Sequence, residues 1–370
     1  MTSIAPAPTL ADITAGLAAD GYLVLPAFAE PHAHLDKAFL AERVPNPTGD
    51  LMGAILAMGN ARPSITVADT TARAERAARL MAANGTTAIR THADVTADNG
   101  LISVEALIDV RERLRDLVDI QIVALAGYPS TGAHGDRVRG LLRDAIEMGI
   151  DVIGGCPHLE TDPAEANDLF LTFAASAGLP VDLHTDETLN PAICALADLA
   201  ERVLATGFSL PVTASHCCSL GVQPEARQRS IAERVAAAGI HVVALPQTNL
   251  FLQGRQHGQS TPRGITAVRA LLDAGVHVAA GADNLQDPFN PVGRGDALET
   301  ASLMVTAAHL LPDEAMAAVS TEARHVLGVP AAGDLVAVRA ETVREAIAFG
   351  PADRIVVRHG VVVAGRTAAG

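Results

Sequence analysis

Lysine is all but missing from this chain: Lys37 is the single one in 370 residues, so 26 of the 27 basic residues are arginine. Against 42 acids they leave a formal charge of −15 and a pI near 5.2. Neutralising phosphates takes clustered Lys and Arg, so this balance argues against nucleic acid and suits a small uncharged or cationic ligand. No basic residue precedes Lys37, which denies a secretory signal its n-region, and no uninterrupted apolar run reaches the roughly 18 residues that span a bilayer. The four cysteines, Cys156, Cys194, Cys217 and Cys218, form no CxxC pair and no disulfide framework. These absences predict a soluble cytoplasmic protein with reduced thiols and no membrane or nucleic-acid partner.

What is present is material for a large core, with 49% apolar residues and a mean hydropathy of +0.25. Eight short apolar or β-branched runs recur: YLVLPAF (22–28), TTAIRT (86–91), DIQIVAL (119–125), DVIGG (151–155), PVDLH (180–184), PVTASH (211–216), HVVALP (241–246) and HVAAGAD (277–283). Between them lie helical-period segments such as SIAERVAAAG and GITAVRALLDAG, each closing on a glycine suited to a left-handed cap. Eight strands alternating with helices predict an α/β fold, a (β/α)8 TIM barrel over residues 22–325. The alternating β runs from Gly333 onward predict a small, reduced β-sheet subdomain built from residues 1–21 and 326–370. The first 20 or so residues contribute little to it and read as helix or loop.

Barrel chemistry gathers at the C-terminal ends of strands, and polar residues fall there. His32 and His34 follow the first run, His92 and Asp94 the second, His158 and Glu160 the fourth. His184 and Glu187 follow the fifth, His216 ends the sixth, Asn249 follows the seventh and Asp283 ends the eighth. Residues i and i+2 of a strand share a face, so the imidazoles of His32 and His34 can converge on one ion. Alone, a His-x-His pair does not separate a metal site from surface or packed histidines. Joined to His184 and Asp283, it makes a mixed nitrogen and oxygen set suited to one Zn²⁺ or Fe²⁺ ion.

The ordered segments PHAHLD, THADV, GCPHLE, HTDE, TASHCCSLG, LQGR, RGIT and GADNLQDPFNPVG resemble the motifs of the amidohydrolase superfamily, in its cytosine deaminase branch. The resemblance implies metal ligands at His32, His34, His184 and Asp283, and attack by metal-bound hydroxide on a small heterocyclic substrate. Glu187 matches the family's proton shuttle, and His216, partnered by Asp283, the residue that orients or deprotonates the attacking water. The alternatives are a helix N-terminal acid for Glu187 and a packed core imidazole for His216. Superfamily relatives with two metals are similar to one another in a carboxylated Lys on the fourth strand; here that position reads GGCPHLE, which implies a mononuclear site. The HxE and PCxxC pair of the cytidine deaminase fold is missing.

The chain also departs from cytosine deaminases. Their strand-three Gln, which reads the pyrimidine, is replaced by Gly127 in ALAGYPSTG, and their His-Asp-Asp and Asp-Pro-Trp are Ala282-Asp283-Asn284 and Asp287-Pro288-Phe289. A pocket without a buried amide reader loses discrimination for the group it read, which argues against cytosine itself. The HLDK ending is similar to that of N-isopropylammelide aminohydrolases, and makes Lys37 either a reader of a ring carbonyl or an ion-pair partner of Asp36. Expected at the substrate with Lys37 are His158, Gln253, Asn284 and Phe289; His158 with Glu160 alternatively organises its loop, and Gln253 with Arg255 alternatively caps one. His92 and Asp94 are expected to support the site, and Cys217 and Cys218 to be packing thiols. The expected activity is a deaminase releasing ammonia or an alkylamine from an amino-substituted nitrogen heterocycle of pyrimidine or triazine type, in a homo-oligomer. Ring-opening hydrolysis of a cyclic amide or imide is the alternative, and a non-catalytic ligand-binding barrel the remote one.

Overall fold

A computed structural model describes residues 9–330 and 333–365. Positions 1–8, 331–332 and 366–370, parts of the expected terminal subdomain, lie outside the described residues. In chain order the strands are β1 (Leu23–Pro26), β2 (Phe28–Ala33), β3 (Thr86–Val95), β4 (Asp119–Ala126), β5 (Val152–Gly155), β6 (Val181–Thr185), β7 (Val212–His216), β8 (His241–Ala244), β9 (Val278–Ala280), β10 (Leu335–Val338), β11 (Arg354–Arg358) and β12 (Val361–Ala364).

Strands β2 to β9 form one eight-stranded sheet in sequence order, each parallel to the next. At least one helix returns the chain between each consecutive pair, which parallel pairing requires. The sheet rolls up until Ala33 bridges Asp283, and that bridge is the seam of a (β/α)8 barrel. All ten residues of β3 are buried, as expected for a sheet covered on both faces. Helix Val67–Ala83 starts at the cap of Thr66, whose side chain accepts Asp69 N–H. The glycine stops read from the sequence hold where they were expected: Gly239 and Gly275 follow their helices at φ +65° and +84°.

Strands β1, β10, β11 and β12 make the second, antiparallel sheet. The run YLVLPAF, read as one strand, is therefore two. Leu23–Pro26 pairs with β10, and the chain changes sheets at Ala27, whose N–H bonds Asp334 O while Phe28 N–H bonds Gly85 O in the barrel. The leading segment contains a helix, Leu10–Ala19, closed at its start by a capping box between Thr9 and Asp12.

The short helix Thr321–Leu327 closes the barrel end opposite the strand C-termini. Its Ala323, Val326 and Leu327 pack against Ala29, Ala88, Val243 and Ala279, and its Arg324 donates to Ala27 O and pairs with Asp334 of the small sheet at 3.2 Å. No helix among the described residues is long and apolar enough to cross a membrane.

At that closed end His241 opens β8, with the rings of His325 and His277 at 5.1 and 5.7 Å. Burial, then the His325 and His277 charges and that of Arg90, push the His241 imidazole down to about 4 from the ordinary 6.5, against the weaker pull of Glu322. With its folded value below its unfolded one, the unfolded chain takes up the extra proton. Stability from this group is complete above pH 6.5 and is lost as pH falls towards 4. The His241→Gln variant is expected to lose less melting temperature than wild type between pH 7 and pH 4, measured by circular dichroism melts; parallel losses would contradict the assignment.

Candidate active site

The parallel register sets the strand ends at one level, with His184 opposite Ser215 and Thr185 opposite His216. His32 near the end of β2, His34 just beyond it, and His184 near the end of β6 meet at the barrel axis. Ring centroids are 4.5 Å apart for His32 and His184, 5.1 Å for His34 and His184, and 5.3 Å for His32 and His34. His34 Nε2 lies 3.1 Å from His184 Nε2. Asp283 enters from the seam, its Oδ1 3.3 Å from His34 Nε2 and 3.7 Å from His32 Nε2.

The chemistry of this set fits a metal ion. Both ring nitrogens of His32, Nδ1 of His184 and both carboxyl oxygens of Asp283 are buried without a good hydrogen-bond partner. Burial lowers His32, His34 and His184 well below the ordinary histidine value, with neighbouring His and Lys37 charges adding to it, so the imidazoles are neutral donors. Burial, then Glu187 and Asp287, raise Asp283 well above its usual range, and such a carboxyl ionises when a cation shares its site. Orphaned lone pairs in this number are costly unless one positive centre satisfies them together. His32, His92 and Asp182 also approach one another closely, but the Asp182 carboxylate is taken by Arg90 at 2.9 Å and by the Ser215 hydroxyl at 2.9 Å.

Glu187 sits beside this cluster, and burial alone raises its carboxyl to about 8, so it holds a proton near neutrality. The Asn249 amide nitrogen joins it to His216, 3.4 Å from Glu187 Oε1 and 3.0 Å from His216 Nδ1. The resemblance pairs His216 with Asp283; the polar contacts of its ring are Asn249 and, at 3.6 Å, Glu187. Asp186, His216 and Asp283 all take left-handed backbone, at φ +53°, +69° and +63°. Such residues cost ~1–3 kcal/mol each and persist where surroundings over-determine them. Asp186 is so held: its carboxylate accepts Ala195 N–H at 2.7 Å and Leu196 N–H at 3.0 Å at the start of helix Ala195–Thr206.

The site opens into a cavity that is continuous with solvent at its mouth. One wall is a buried ion network. Lys37 Nζ is 2.6 Å from Asp94, 3.5 Å from Asp36 and 3.0 Å from His34 Nδ1. Burial favours the neutral amine, but Asp36 and Asp94 outweigh it and keep Lys37 an ammonium. Burial likewise opposes ionisation of Asp94, yet Lys37 and Arg62 together hold it below the usual carboxylate range. Arg62 bonds Asp94, lines the cavity at 9% exposure, and leaves its buried Nε unpartnered. It follows helix Leu51–Ala61, whose Leu51, Ile55 and Met58 supply an apolar wall with Phe289. Neither that helix nor Arg62 nor the bridging role of Asn249 is marked in the sequence.

Of the other expected residues, His158 lines the cavity, its Nδ1–H donating to His184 O at 2.9 Å. Asn284 also lines it, while its side chain donates to Asp287 at 2.7 Å. Gly127 lies in the wall too, so the departure from cytosine deaminases is at the cavity surface. Gln253 instead donates to the backbone carbonyl of Glu187 at 3.2 Å, and Arg255 bonds Phe251 O on the outside. Glu160 accepts Ser130 and Thr131 hydroxyls and so ties two loops. Cys217 and Cys218 are buried, with thiols raised well above their ordinary value by burial and nearby acids.

A pterin deaminase of Rhizobium rhizogenes is 37% identical over 354 residues, covering 92% of this chain and 80% of its own. The crystal structure of 5-methylcytosine deaminase from Klebsiella pneumoniae with 5-fluorocytosine superposes with a TM-score of 0.87 at 32% identity, over 95% of this chain and 88% of that one. N-isopropylammelide isopropylaminohydrolase from Burkholderia multivorans superposes with a TM-score of 0.79 at 32% identity, over 94% and 87%. The family model described as "Amidohydrolase family" matches residues 16–368. With that match spanning nearly its whole length and the His and Asp cluster at its strand ends, the chain belongs to the amidohydrolase family and is a hydrolase acting on carbon–nitrogen bonds.

Proposed function

We propose that this protein is a mononuclear metal-dependent aminohydrolase that releases ammonia or an alkylamine from an amino-substituted nitrogen heterocycle. The observation that carries this reading is the buried cluster of His32, His34, His184 and Asp283, with unpartnered atoms on His32, His184 and Asp283, beside a proton-holding Glu187 on one cavity. The names of its relatives, a pterin deaminase, a 5-methylcytosine deaminase and an isopropylammelide aminohydrolase, favour the same substrate class. Neutral imidazoles with one carboxylate suit Zn²⁺ or Fe²⁺. A dication held there supplies hydroxide near neutral pH by acidifying a coordinated water.

The remaining work falls to the side chains. Glu187 gives its proton to the ring nitrogen next to the amine-bearing carbon, and through Asn249 it stays in register with His216, which orients the attacking water. Lys37 and Arg62 present donors to a ring oxo group, and His158, whose Nδ1–H is spent on His184 O, presents Nε2 to the cavity as an acceptor. Leu51, Ile55, Met58 and Phe289 pack on the ring and exclude water. Glycine at position 127 brings no side-chain amide to the wall where a pyrimidine reader would stand, and a Cβ there would meet Thr96 at 2.7 Å, which fits a ring other than cytosine. The four free thiols suit a cytoplasmic enzyme.

Ammonia and amine release from pterin, cytosine, 5-methylcytosine and N-isopropylammelide, with metal content measured on the same samples, tests the reading. Release from at least one is expected, with one ion per chain; ring opening without amine release would replace it by cyclic amide hydrolysis. The His184→Ala variant is expected to lose metal and turnover together, and full activity in metal-free protein would contradict the assignment. Glu187→Gln should keep its metal and lose about 10²–10⁴-fold in kcat. Arg62→Gln should raise KM about tenfold or more with metal content unchanged, the loss of one charged donor being worth about 1.5–3 kcal/mol; an unchanged KM would remove Arg62 from substrate recognition.

A further inference from the structure

Glu30 opens the His-x-His segment two positions before His32, is 7% exposed, and has no part in the chemistry above. Its Oε1 accepts the N–H of His32 at 3.1 Å and its Oε2 accepts the N–H of Ala282 at 2.9 Å. These amides lie on opposite sides of the barrel seam, one in β2 and one just beyond β9. Across that seam Asp283 N–H also donates to His32 O at 3.0 Å, and His34 N–H to Asp283 O at 3.2 Å. Ala282 directly precedes Asp283, whose left-handed backbone needs outside support.

Gly281 supplies an independent observation. A Cβ there would stand 2.3 Å from Glu30 Oε1, while its φ is outside the left-handed range. What excludes a side chain at this position is the room that the Glu30 carboxyl occupies, not backbone conformation.

We propose that Glu30 is a positioning residue: seated in the space left by Gly281, it clamps the barrel seam and fixes His32 and Asp283 at the spacing that one metal ion requires. This rests on the reading of those two residues as ligands. A planar carboxyl has two acceptor edges on one rigid group, so it can hold two N–H donors from opposite sides of the seam at once. A glutamine of the same size would turn an NH₂ towards one of them and open the seam. Partners that orient metal ligands in this way are worth about 10- to 100-fold in metal affinity.

The test is Zn²⁺ affinity of the full chain by competition with a chromophoric chelator, alongside melts of the same stripped samples. Glu30→Gln and Gly281→Ala are each expected to bind Zn²⁺ about 10- to 100-fold more weakly than wild type. Val110→Ala, a destabilised control in helix Ile102–Leu114, should melt lower at unchanged affinity. Wild-type affinity in either folded seam variant overturns the proposal, as does loss of folding in both, which would make Glu30 a determinant of the fold and not of the ligands. If wild type itself binds no Zn²⁺, the reading of the ligands fails; if wild type binds, His184→Ala does not, and the seam variants bind like wild type, only the clamp fails.

Discussion

The structure depends on concentrating unpartnered polar atoms in a fully buried place. The rings of His32, His34 and His184 and the carboxyl of Asp283 crowd together with several nitrogens and oxygens unbonded, an arrangement that an ordinary core would shed. Burial keeps the imidazoles neutral and pushes the carboxyl towards its acid form. A dication held there would reverse the balance, because neutral nitrogens would serve as ligands and the carboxyl would ionise beside a positive charge. The same burial that makes the set costly as a core makes it effective as a ligand cage.

The barrel brings these groups together. Parallel strands in register put every strand end on one face, so the histidines and the aspartate, some 150 and 250 residues apart in sequence, arrive at one level. Left-handed backbone at Asp186, His216 and Asp283 turns each chain sharply as it leaves its strand. The strain is held by hydrogen bonds to neighbours outside the reaction, such as the helix start that receives Asp186. The floor helix Thr321–Leu327 and the small sheet lie at the far end, tied to the barrel through Arg324.

Much of this was legible in the sequence because barrel strands are short apolar runs and their functional residues sit directly after them. The eight runs, the polar residues behind them and the glycine stops needed no knowledge of contacts. What escaped needed partners. The split of YLVLPAF turns on Ala27 and Phe28 bonding different sheets, while apolar character continues unbroken across the change. Arg62 reads in sequence as an ordinary arginine at the end of LMGAILAMGNA, and only the fold brings it to Asp94 and the cavity. In sequence Lys37 reads either as a ring-carbonyl donor or as an ion-pair partner of its neighbour Asp36, yet its shortest contact is with Asp94, on the next strand. His216 was matched to Asp283, whereas its ring meets Asn249, which the sequence marks only as a polar residue after strand seven.

The most direct test of the account is X-ray absorption spectroscopy of the zinc-loaded protein. It predicts a shell of nitrogen and oxygen alone, with the multiple-scattering signature of three imidazoles and no neighbouring metal. Sulfur at about 2.3 Å, from Cys156 or another thiol, or a second metal at about 3.5–4 Å, would contradict the assignment of His32, His34, His184 and Asp283 to a single ion.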